Sequence, residues 1–112
     1  MTTRKIPEAD WKKFRKLREV ALERFCDRTL QEITTIAAND AASSHQRYLK
    51  IYDFIQAQDQ DLSRAFDAPR RSQMLEQLIA MQGLGLFTTE DLDQFTDATR
   101  EVLDFLFTPE TR

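Results

Sequence analysis

The chain carries a single histidine and a single cysteine, so any chemistry needing either residue has one candidate. His45 offers a general base or a proton switch near neutral pH. It follows Ser43-Ser44, a pair suited to capping a helix, where a local hydrogen bond or exposure is the expected role. Cys26 falls within the apolar range of a helix and is expected as a buried, inert thiol. Structural zinc wants four soft ligands, and these two residues fall short. The Glu-x-x-His pair of di-iron bundles would need an acid where Ala42 stands. No nucleophile motif surrounds His45. Gly83-x-Gly85 lacks both a preceding strand and a following Gly-Lys-Ser/Thr. Glu90-x-x-Asp93 matches half of the carboxylate pattern of helical nucleotide pyrophosphohydrolases, but no Glu-x-x-Glu occurs in the chain. The expectation is a protein with no catalytic residue, no cofactor and no metal.

Three polar constellations remain. The first is a possible pocket of Tyr48, Tyr52, Asp59 and Arg71. The two tyrosines and Asp59 belong to a seam through His45, Tyr48, Tyr52, Ile55, Asp59, Leu62 and Phe66, with alternating steps of three and four. That spacing is the a/d pattern of helix pairing. A carboxylate buried in such a seam needs a partner, because an isolated buried charge is expensive. Arg71, or Arg18 from the first helix, would supply one and complete a site for a small molecule. If the seam turns away, Asp59 stays in water near Asp61.

The second constellation is basic. Lys12, Lys13, Arg15, Lys16 and Arg18 crowd two turns that also hold Trp11, Phe14 and Leu17. At 100° per residue the cations surround most of the helix rather than forming a stripe. Glu8–Lys12, Asp10–Lys13, Arg15–Glu19 and Arg28–Glu32 place opposite charges at helical spacing. Phosphates of a nucleic acid are one partner for this segment. A protein surface packed on Trp11, Phe14 and Leu17 is the other. The third constellation is acidic: Glu90, Asp93, Asp97, Glu101 and Asp104 fall within about 80° on one helix. Like charges four residues apart repel by a few tenths of a kcal/mol, which a basic surface would relieve.

Four helices, at roughly 7–38, 44–66, 69–82 and 89–107, would position these residues. Pro7 is pre-set for a first helical turn, and Glu8 and Asp10 suit the positive end of its dipole. Thirty residues would reach about 45 Å, making the first helix longer than the third and fourth could cover. Ser43 or Ser44 caps the second helix. Asp67-Ala68-Pro69 restarts the chain into a short third helix with Met74, Leu75, Leu78, Ile79 and Met81. Gly83 is its expected left-handed stop, with Leu84 folding back. Thr88 and Asp91 are spaced as a capping box, and Phe87 and Leu92 as a hydrophobic staple, opening a single fourth helix that ends before Thr108-Pro109. The tail Glu110-Thr111-Arg112 is expected to fray. A helix–Gly83–helix pair suggests helix-turn-helix, but phosphates would repel the acids of its reading helix.

Composition agrees with this architecture. The chain has 112 residues, 31% of them charged, with two glycines and three prolines, too few for the turns of a β-sandwich or barrel. The expected fold is all-α, a single four-helix bundle-like domain over 1–112. The net charge of −3 separates into +4 over residues 1–30, −2 over 31–85 and −5 over 86–112. No apolar run is long enough for a membrane span. The start has no secretory pattern, and the lone thiol suits the cytosol. The expected function is a cytosolic interaction or oligomerisation module, pairing with itself as a homodimer or with another protein. The overhanging part of the first helix would bear the contact through Trp11, Phe14 and Leu17 among the basic residues. Nucleic-acid binding through the same segment is the alternative, ahead of a small-molecule site on the second helix.

Overall fold

The structure is a computed structural model and describes residues 6–107. Every regular element among them is helical, so the fold is all-α. Helix α1 spans Glu8–Ala37 and α2 spans Ser44–Phe66. A 3-10 turn, Arg71–Gln73, leads into α3, Met74–Gly83. A single-turn α4, Thr89–Leu92, precedes α5, Asp97–Phe107.

Proline before the first turn of α1 leaves its carbonyl to accept from the Asp10 and Trp11 amides, both at 3.1 Å. The next glycine is Gly83, so nothing interrupts the helix before the polar turn at Asn39. Ser43 caps α2 with a full capping box: its hydroxyl accepts from the Gln46 amide, and the Gln46 side chain accepts from the Ser43 amide. The two long helices form an antiparallel hairpin. The Gln58 amide donates to the Thr29 hydroxyl at 2.9 Å, and the Arg18 guanidinium donates to the Phe66 carbonyl.

The core fills only one end of this hairpin. Phe14, Leu17, Ala21 and Phe25 of α1 meet Ala65 and Phe66 of α2, with Met74, Leu78 and Met81 of α3, then Leu86, Phe95 and Leu103. Beyond Phe25 the only buried residues of α1 are Thr29 and Ile36, and α2 buries nothing before Ala65. The molecule is accordingly elongated, 55 × 34 × 27 Å.

Three expectations about the elements are corrected. The single helix over 89–107 is two helices. The Asp10 carboxylate accepts from the Thr96 amide and hydroxyl and from the Thr99 hydroxyl, which creates a new helix start at Thr96. The third helix begins at Met74 rather than Pro69, after Ala68 turns the chain with a left-handed φ of 45°. The left-handed stop is Gly85, at φ 71°, and Gly83 stays helical. The Gly85 amide then bonds the Gln82 carbonyl and the Leu86 amide the Met81 carbonyl. This is a Schellman closure, in which Leu86 rather than Leu84 folds onto the last turn. The capping box at Thr88 and Asp91 is present, and Phe87 and Leu92 both pack on the core. The tail Glu110-Thr111-Arg112 lies outside the described residues.

Candidate interaction surface

The free end of the hairpin holds the largest group of exposed apolar side chains. Along α2, Tyr48 is 67% exposed, Tyr52 54% and Ile55 41%; along α1, Leu30 is 60% exposed. Cys26, expected as a buried thiol, is exposed in the same place. Between the helices runs an open groove lined by Phe25, Cys26, Thr29, Leu30 and Ile33 of α1 and Ile55, Gln58, Asp59 and Leu62 of α2. Its polar floor is satisfied internally: the Thr29 hydroxyl donates to the Phe25 carbonyl while accepting from Gln58. Asp59 is the only charged residue in the lining, and it is exposed.

The opposite side of α1 is already occupied. Arg24 donates to the Leu86 carbonyl and to Asp91, both at 2.7 Å, and Arg28 donates to the Leu84 and Gly85 carbonyls. Burial at Asp91 works against its charge. The Arg24 guanidinium and the amide and hydroxyl of Thr88 outweigh that penalty and hold its carboxyl below the usual carboxylate range. These bonds fix the connection from α3 to α5 against one side of α1. Cys26 lies two residues from both arginines, about 200° around the helix, so the groove faces away from that layer.

No protein-family model, curated protein or solved structure matches this chain.

The geometry rearranges the residues singled out above. Phe14 and Leu17 are 0% and 5% exposed and belong to the core, so the overhang is not at the start of α1 but at its far end. The reason is that α3 to α5 return along the first half of α1, where Trp11, half-buried, stacks on Phe14 at 5.4 Å. Lys12, Arg15 and Lys16 remain exposed along a shallow surface that also includes Glu19, and Lys13 is half-buried.

The proposed polar pocket does not assemble. Arg71 donates to the Ile6 carbonyl and to Glu8 at 2.7 Å, at the start of α1, whereas Tyr48 and Tyr52 stand near the other end of the hairpin. Arg18 lies over the Phe66 ring, 5.8 Å from its centroid, rather than beside Asp59. His45 is exposed in the first turn of α2.

The acidic face is divided by the break near Thr96. Glu90 lies on α4 and Asp93 just after it, while Asp97, Glu101 and Asp104 lie on α5; all five are exposed. Among the described residues no group of three or more His, Cys, Asp or Glu is placed to hold a metal, and no helix is long and apolar enough to cross a membrane.

Asp10, expected beside Lys13 at the helix start, instead bonds Thr96 and Thr99; it is 1% exposed and is the most buried ionisable group described. Its signal was the run Thr96-Asp97-Ala98-Thr99, a capping sequence inside what read as one helix.

Proposed function

We propose that this chain is a helical protein-interaction module that works through the open face of the α1–α2 hairpin. The observation that carries this reading is an apolar groove edged by exposed Leu30 and Ile55, with exposed Tyr52 and Tyr48 continuing the α2 seam beyond it. Monomeric proteins seldom leave such patches uncovered, and rimmed apolar patches mark association sites. The seam spacing of α2 is the spacing that accepts another helix. Tyrosine and long aliphatic side chains supply contact area with little rotamer entropy to lose.

The lower half of the hairpin has a hydrophobic core and a layer of α3 to α5 to stabilise it. The upper half therefore projects as a stiff two-helix arm. The exposed basic strip of α1 and the acids of α4 and α5 lie outside this face and would act on approach and orientation.

The test is sedimentation velocity across the micromolar range. The wild-type chain is expected to associate. Ile55→Glu places a charge on the face at a position exposed enough to leave the fold intact, and should return the chain to a monomer with an unchanged helical circular dichroism spectrum. Association unaffected by that substitution, or a wild-type chain that stays monomeric throughout, would contradict the reading.

A further inference from the structure

We draw no further inference here: the strongest candidate, the apolar groove between α1 and α2 at the free end of the hairpin, belongs to the surface already described, and nothing in the structure shows what covers it.

Discussion

Replacing Asp10 with alanine should lower the free energy of unfolding by about 3 kcal/mol. The carboxylate is 1% exposed and accepts from the Thr96 amide at 2.8 Å, the Thr96 hydroxyl at 2.7 Å and the Thr99 hydroxyl at 2.5 Å. Hydrogen bonds to a charged group contribute about 1.5–3 kcal/mol each, and part of that gain offsets the cost of burying the charge. The substitution also leaves the Thr96 amide and the buried Thr99 hydroxyl without acceptors. Asp10→Asn keeps the shape and one acceptor oxygen, so it should cost less, about 1–2 kcal/mol. Because the same bonds start α5, hydrogen exchange in the Asp10→Ala chain should accelerate first over α5. Urea titration of both variants checks the magnitudes. A loss under about 0.5 kcal/mol, in the range of an ordinary surface change, would mean that Asp10 does not organise this end of the molecule.

The second large effect is expected at Phe14. Its ring is fully buried, stacks on Trp11 and faces the core residues contributed by α2 and α3. Phe14→Ala removes an aromatic side chain and leaves a cavity, a change that costs about 3–5 kcal/mol. Tyr48→Ala, at a position 67% exposed, should alter stability by less than about 0.5 kcal/mol. The two substitutions should separate in the opposite sense for association. Phe14→Ala should leave self-association unchanged under conditions where the chain is folded, whereas Tyr48→Ala should weaken it. A Phe14→Ala chain with wild-type stability and impaired association would return the contact surface to the start of α1.

The sequence made the helices legible because their signals are local. Pro7 has the backbone geometry that opens α1, and the serine box before α2 and the threonine box before α4 each satisfy orphan amides within a few residues, and the spacing shows it. What it concealed was set by contacts between distant residues. The break before α5 depends on Asp10, 86 residues away from Thr96, and nothing near Thr96 specifies that acceptor. The seam of α2 is regularly spaced, yet from His45 to Asp59 it is exposed, because periodicity states that a stripe exists and not what covers it. Phe14 and Tyr48 sit on equally regular stripes, and only the return path of α3 to α5 decides which one is buried. The same path explains Cys26: its stripe is apolar, yet it lies at the α2 groove on the side of α1 away from α3 to α5. The arginines show the complementary case. Arg28 reads as the partner of Glu32 along α1, yet it reaches across with Arg24 to the carbonyls of residues 84–86, where backbone acceptors closing α3 compete with nearby acids.

The proposed interaction requires the face between Cys26 and Ile33 of α1 and Tyr48 and Leu62 of α2 to be covered on association. Hydrogen exchange of the purified wild-type chain, compared at low and high micromolar concentration, reads that coverage out residue by residue. Raising the concentration should slow exchange over 26–33 and 48–62 while α3 and α5 exchange at the same rate. Protection confined to the first turns of α1 or to α5, or rates that do not change with concentration anywhere, would contradict it.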